Sequence, residues 1–564
     1  MLAGSTLRPT PDGDSLIVNT GFDASKAICS MLDLIIRNGR IVTAAEILPT
    51  GLEIGVRNGK IAAIGVDLGA GPDTEIVDAE GAYITPGGVD SHAHIEQDNS
   101  PTGDTWETGS RSAIAGGNTT IIAFASQRRD EPSLLPCVER YHAKATGNAY
   151  CDYGFHVIMT NVTEAILKEE LPLLAETGKH GITSVKLYMT YLPLRLGDGD
   201  LFSIMLAARQ LGVTTMVHAE NHDIVDQIMQ RLAARGNTQT YYHAVARPQI
   251  AEAEATYRAI SLAEVTDAPI LLVHMSAPVA LQHVREAQAR LLPIHAEACP
   301  HYLYLTSDKL RSTPDHEHGH DGIDGAKHIC APPLRHNMRD VEQLWEELAN
   351  GTYTVVSSDH APSLFNHPNG KKRGLVTANG TETEESNGTG LKIKAIADFR
   401  VVPNGVPGIE TRLPLLFDRT YDPEVGPPSD ESAPVHISLP RFVALTSTNP
   451  AQLYGLAHCK GSLQPGLDAD IVIWHPETPE KDFLITNTSL HHRIDYTPFE
   501  GMRVRNWPRY VFLRGKRVWD RDNGGVLGEP GNGQYLPRTK SRILTGQAGR
   551  TATGMHYGEK GSWM

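Results

Sequence analysis

The sequence predicts an α/β protein: a (β/α)8 TIM-like barrel with a smaller β-sandwich domain built from both chain ends. Three observations predict it. The middle of the chain alternates about eight strand-like runs with amphipathic stretches at helical spacing, the pattern of a barrel rather than an open sheet. Short β-branched runs broken by tight-turn signals recur near both termini. Side chains able to ligate a metal sit at the carboxyl ends of successive middle strands, the face where barrel enzymes assemble their sites.

Taken in order, residues 1–31 are polar and turn-rich and read as a loose arm. From Leu32 the runs DLIIRNGRIVTAAE and LEIGVRNGKIAAIG, each broken by Asn-Gly, read as hairpins. The same texture returns in DADIVIWHP and RYVFLRGKRVW, so 32–83 and 456–525 are expected to form one domain that ties the ends of the middle together. The barrel is expected over 84–455. Its strand candidates are YITPGGVDSH, NTTIIAFAS, YGFHVIMT, TSVKLYMT, VTTMVHAE, PILLVHMS, PIHAEACPH and YTVVSSDH. IVDQIMQRLAARG and PVALQHVREAQARLL are among the helices between them. Two stretches look inserted: PDHEHGHDGIDGA (314–326), expected as a solvated loop, and the Gly, Thr and Glu-rich 366–390, expected as a long surface loop over the barrel mouth. The tail 526–564 is expected to be a disordered segment or an arm exchanged between subunits.

Composition excludes several classes. With 40% hydrophobic and 21% charged residues the chain is of ordinary globular composition, and a formal net charge of −15 disfavours nucleic acid and anionic membrane surfaces as partners. No run approaches the roughly eighteen apolar residues of a membrane span. The N-terminus lacks the basic and apolar regions of a secretory signal, and the six cysteines are scattered without a CxxC pair. Together these predict a cytoplasmic protein with reduced thiols.

The chemistry starts at His92-Ala93-His94, after a Pro-Gly-Gly break. Residues two apart in a strand point the same way, so both imidazoles can converge on one ion. Four later runs end in compatible groups: Lys186 in TSVKLYMT, His218 in TTMVHAEN, His274 in ILLVHMS and Asp359 in VVSSDHAP. Four imidazoles and a carboxylate exceed the needs of one tetrahedral zinc, whereas two ions about 3.5–4 Å apart would use them all. An ammonium at Lys186 would repel two dications; a carbamate formed from its amine and CO2 is anionic and can bridge them. Taken alone, Lys186 reads as a salt-bridged lysine, His218 and His274 as satisfied core histidines, and Asp359 as a helix cap. Together they read as a dimetal hydrolase. A bridging water of lowered pKa would supply hydroxide, Asp359 would shuttle its proton to a leaving nitrogen, and Tyr191 in VKLYMTYLP would assist the oxyanion.

GGVDSHAHI, SVKLYMTY, VHAEN, YHAVARPQIAEAEATYRAI, LVHMS, EACPHYLYL, HICAPPLR, SSDHAP and VPNGVPGIETRLPLLF resemble the dihydropyrimidinase/D-hydantoinase branch of the amidohydrolase superfamily. GSLQPGLDADIVIWHPE and SLHHRIDYTPFEGMRV extend the resemblance into the closing β domain, from about residue 32 to about 520 in all. It implies two divalent ions, taken as Zn2+, bridged by N6-carboxylysine at Lys186. His92, His94 and Asp359 would hold one ion, and His218 and His274 the other. It further implies hydrolysis of the ring amide of 5,6-dihydropyrimidines or 5-substituted hydantoins to N-carbamoyl amino acids. Tyr191 matches the family's oxyanion-assisting tyrosine, and Ala331 and Asn404 match positions whose backbone groups bind the ring's amide edge. Ala331 stands where many members have serine, a change that a backbone contact survives. A homo-oligomer, tetramer or dimer, is implied as well.

Two departures bear on the substrate. The loop after His94 reads IEQDNSPTGDTWETGS instead of an apolar, Gly-containing segment, and no arginine follows the His-x-His pair as it does in dihydroorotases. The second disfavours an anionic ring. A related ring opener, an allantoinase or a cyclic imidase, would use the same machinery. A non-catalytic scaffold homologue is disfavoured, because every ligand position is filled.

Overall fold

The computed structural model describes residues 32–98, 100–311, 323–377, 395–428, 435–477 and 482–543. Its centre is a sheet of eight parallel strands in sequential order: β1 (Gly88–Ala93), β2 (Asn118–Ser126), β3 (Asp152–Ile158), β4 (Ser184–Tyr188), β5 (Thr214–His218), β6 (Ile270–Leu272), β7 (Ile294–Ala298) and β8 (Val355–Val356). A parallel bridge between Ala93 and His360, with His94 N–H donating to the His360 carbonyl at 2.8 Å, joins the last strand's exit to the first and nearly closes the barrel. Parallel strands covered on both faces need apolar side chains on both, and the pleat divides them. In β2, Ile122 and Phe124 join an interior cluster with Met216, Leu271 and Val355. Their neighbours Ile121, Ala123 and Ala125 face outward into the layer that includes Leu281 and Val284 of the helix Pro278–Ala289.

Helices return the chain between strands, and their ends are chemically marked. Trp106–Ala115 starts at a Thr105–Thr108 capping box, and His222–Ala234 starts where the Asn221 side chain accepts from Ile224 N–H. The helices expected from IVDQIMQRLAARG and PVALQHVREAQARLL lie at His222–Ala234 and Pro278–Ala289.

A separate sheet domain lies beside the barrel. Tyr83–Pro86 pairs antiparallel with Ile471–Trp474, so segments from the two ends of the chain share a six-stranded sheet. The run YITPGGVDSH is therefore two strands. The break falls at Gly87, where a Cβ would meet Thr119 Oγ1 at 2.2 Å, so only glycine lets the chain pass there.

The inserted and terminal segments differ in part from expectation. Residues 312–322 and 378–394 lie outside the described residues, and Asp324–His328 forms a short 3-10 turn. Within 366–377, expected as surface loop, Lys371 is fully buried. Residues 527–543 of the tail pack on this chain's own barrel: Tyr153 N–H donates to Gln534, Arg538 N–H to Gly181, and the buried Arg538 guanidinium to the Phe155 carbonyl. Barrel backbone left unpaired by the sheet holds this stretch, and polarity alone does not reveal such partners. Residues 544–564 lie outside the described part. Among the described residues no helix is long and apolar enough to cross a membrane.

Lys460 joins barrel to sheet domain. Its ammonium, 1% exposed, lies 2.7 Å from Asp152 at the start of β3, 2.7 Å from Asp470 and 3.1 Å from Asp468. Removing one partner strands the others in a dry interior. Lys460→Met is expected to cost about 3–5 kcal/mol in denaturant unfolding. An unchanged midpoint would show that these carboxylates are stabilised by something else.

Candidate metal centre and its cavity

The sequence-predicted ligands lie at or just beyond the carboxyl ends of their barrel strands, apart from Lys186, which sits in the middle of its strand. His92 is in β1 and His94 just beyond it, Lys186 is in β4, His218 ends β5, and His274 and Asp359 follow β6 and β8. Ligand atoms of His92, His94 and Asp359 lie within 4.8 Å of one another. Asp359 Oδ1 is 3.1 Å from His92 Nε2 and 3.4 Å from His94 Nε2, and Lys186 Nζ is 3.3 Å from His92 Nε2. The His218 and His274 rings are 4.4 Å apart, and the His92 and His274 rings 5.4 Å. The fold thus brings all six together.

The outward nitrogen of three imidazoles is already engaged. His92 Nδ1 pairs with Glu297 Oε1 at 2.6 Å, His94 Nδ1 with Gln97 Oε1 at 2.9 Å, and His218 Nε2 with Glu220 Oε2 at 2.7 Å. An acceptor there fixes the ring proton on that nitrogen and leaves the other one's lone pair for a ligand. In that tautomer the lone pairs of His92 and His94 face the same Asp359 oxygen. Converging acceptors in a dry site repel unless positive charge lies among them. The Lys186 ammonium, 3.3 Å from His92 Nε2, or an imidazolium can supply it, and so can divalent cations. The donor set therefore fits a metal centre.

The electrostatics agree. Burial works against a charge on His92, but the Glu297 and Asp359 carboxylates outweigh it and raise the pKa. Burial also opposes ionisation of Asp359, yet contacts with His92 and His94 hold it well below the usual carboxylate range. Burial lowers His94, His218 and His274, keeping them neutral and able to ligate. Burial brings Lys186 down to about 8 against the pull of Glu297 and Asp359, so a fraction of its side chain is free amine near neutral pH.

Three residues at the site carry backbone strain. Tyr191, His274 and Asp359 adopt φ of 63°, 39° and 46°, a region that non-glycine residues rarely occupy. A cavity of about 670 Å³ opens above, and its lining includes His94, His218, His274, Asp359, Tyr191, Ala331 and Asn404. His92 and Lys186 lie beneath it, fully buried. The Tyr191 ring centre is 5.5 Å from that of His218, and burial raises its pKa, so the phenol stays protonated and able to donate.

Three participants escaped the sequence reading. Glu297, fully buried in β7, accepts from both His92 Nδ1 and His274 backbone N–H, the latter at 2.9 Å. A carboxylate inside the apolar run PIHAEAC was the available signal. Glu220 and Gln97 sit two and three residues beyond predicted ligands, and Arg247 at 2.8 Å holds Glu220 ionised. Nothing in the sequence announces that pairing.

A sequence model of the Amidohydrolase family matches residues 83–518. The D-hydantoinase of Ralstonia pickettii is 38% identical over 512 residues, covering 90% of this chain and 99% of the relative. That of Geobacillus stearothermophilus is 38% identical over 513 residues, covering 90% and 97%. The crystal structure of dihydropyrimidinase from Brevibacillus agri superposes with a TM-score of 0.77 at 36% identity, covering 90% of this chain and 99% of that one.

Glu297→Leu is expected to weaken metal binding by roughly ten- to a hundredfold in chelator competition, and Glu297→Gln, which keeps an acceptor, by less. Equal affinity in wild type and Glu297→Leu would remove Glu297 from the ligand-orienting role.

Proposed function

We infer that this chain, which belongs to the amidohydrolase family and within it to the hydantoinase branch, is a hydrolase that opens cyclic amides. The substrates are 5,6-dihydropyrimidines or 5-substituted hydantoins, and the products N-carbamoyl amino acids. The observation that supports this most directly is the convergence of His92, His94, Lys186, His218, His274 and Asp359 around one cavity, in a chain that aligns with 99% of a D-hydantoinase.

Those six residues would hold two divalent ions, zinc in this proposal, with Lys186 carboxylated between them and His92, His94 and Asp359 on one side and His218 and His274 on the other. Bound there, the ions would polarise the scissile carbonyl and lower the pKa of water. The chain's own residues do the rest. Asp359, ionised and buried, accepts a proton from the attacking water and returns it to the leaving ring nitrogen. Tyr191 donates to the oxygen that becomes anionic. Backbone groups of Ala331 and Asn404, both on the cavity wall, bind the ring's amide edge. Glu297, Gln97 and Glu220 hold the imidazoles in their ligating orientation. A homotetramer or dimer belongs to the same proposal.

The test is turnover by metal-replete protein on dihydrouracil, hydantoin, a 5-aryl hydantoin, allantoin and a cyclic imide, with metal counted on the same sample. Ring opening of the first three with about two metals per chain is expected. Opening of only allantoin or the imide would move the substrate and keep the machinery. Lys186→Ala should lose most metal and activity while its circular dichroism matches wild type. Full activity in that variant would refute the bridging carbamate.

A further inference from the structure

The outer part of the cavity has a chemistry of its own. Its lining among the described residues includes two side chains of fixed charge: buried Asp359 and exposed Arg373. Asn369, exposed on the same turn, lines it too. Among the described residues, neither the Arg373 guanidinium nor the Asn369 amide has a hydrogen-bond or ion-pair partner, whereas the buried Arg247 and Arg335 are paired with Glu220 and Glu252. Pro101, Leu194 and Val401 supply apolar wall nearby.

The turn that presents these two donors is anchored. Lys371, fully buried between them, donates to the carbonyls of Ile329 at 3.1 Å and of Pro403 and Gly405 at 2.7 Å each. Those carbonyls belong to the segments that contain Ala331 and Asn404, so one ammonium ties the rim to the ring-binding wall. Gly370 and Gly374 pack so closely that an added Cβ would meet Leu364 O at 2.0 Å and Val402 Cγ2 at 2.4 Å. Arg373 N–H donates to the Gly370 carbonyl at 3.1 Å. An arginine on a pinned turn, open to a cavity and without a partner among the described residues, is arranged to receive a carboxylate in a two-pronged contact.

We propose that the cavity takes a ring whose 5-substituent ends in a carboxylate, bound by Arg373 with help from Asn369. This rests on the cyclic-amide reading and names its substrate class: 5-carboxyalkyl hydantoins and their dihydropyrimidine counterparts. Hydrolysis breaks the ring C–N amide bond, joins the water oxygen to the carbonyl carbon and leaves the second water proton on nitrogen. The product is the N-carbamoyl derivative of an acidic amino acid. The absence of an arginine after the His-x-His pair disfavours a carboxylate in that position; the fold supplies a cation from a different segment, for a charge further from the ring.

Metal-replete wild type and Arg373→Gln are compared on 5-(2-carboxyethyl)hydantoin, its carboxamide and unsubstituted hydantoin. The expected ratio of kcat/KM for acid over carboxamide is roughly ten- to a hundredfold in wild type, the range of a charge-assisted contact, collapsing toward one in Arg373→Gln mainly through KM. A wild-type ratio near one, or a ratio that survives in Arg373→Gln, overturns the proposal alone. No turnover of any ring by wild type, unsubstituted hydantoin included, overturns the cyclic-amidase reading and this proposal with it.

Discussion

Crowding of electron pairs at one point organises this protein. Ring nitrogens of His92 and His94 and an oxygen of Asp359 crowd within 4.8 Å, His92 and Asp359 buried and His94 half-buried at the cavity floor. Such a cluster is unfavourable unless positive charge is placed in it. Side chains around it keep the nitrogens aimed inward: Glu297 and Gln97 fix the ring protons of His92 and His94 on the far side, Glu220 does the same at neighbouring His218, and Arg247 keeps Glu220 ionised. The strained φ values at Tyr191, His274 and Asp359 are held by the same surroundings.

A barrel suits that demand. Eight parallel strands bring residues from positions 92 to 359 to one end, and each strand's hydrogen bonds fix its neighbour's register. The packed interior below, with Phe124 and Leu271 among its side chains, gives the strand ends little freedom to spread and relieve the repulsion. The ion network at Lys460 and the pairing of Tyr83–Pro86 with Ile471–Trp474 then tie the barrel to the sheet domain.

The cavity divides into a part set by the reaction and a part set by the substrate. The inner wall comes from strand ends that the barrel cannot move without losing its closure. The outer wall comes from loops, among them the loop after His94 and the turn at Asn369–Arg373. These can change composition without disturbing the strands, so hydrolytic machinery and selectivity are separable.

Much of this was legible in the chain itself. Alternating periodicities gave away the barrel, and ligand-type side chains at strand ends such as VKLYM and VTTMVHAE marked the site, because burial and strand geometry impose local patterns on sequence. Glu297 left a trace as a charge in an apolar strand. The fate of Lys371 did not: a lysine in a Gly- and Lys-rich stretch looks like solvated loop, and its three carbonyl partners come from two other segments. The packing of residues 527–543 left no trace either, since their partners are backbone groups of distant barrel segments. By itself the sequence determined the elements, their order and the residue types that can ligate. The tertiary structure decided which nitrogen of each imidazole faces inward, which loop lysine is buried, and where an arginine unpaired among the described residues meets the cavity, because each depends on how separate segments are set against one another, from the 205 residues between His92 and Glu297 to the 42 between Lys371 and Ile329.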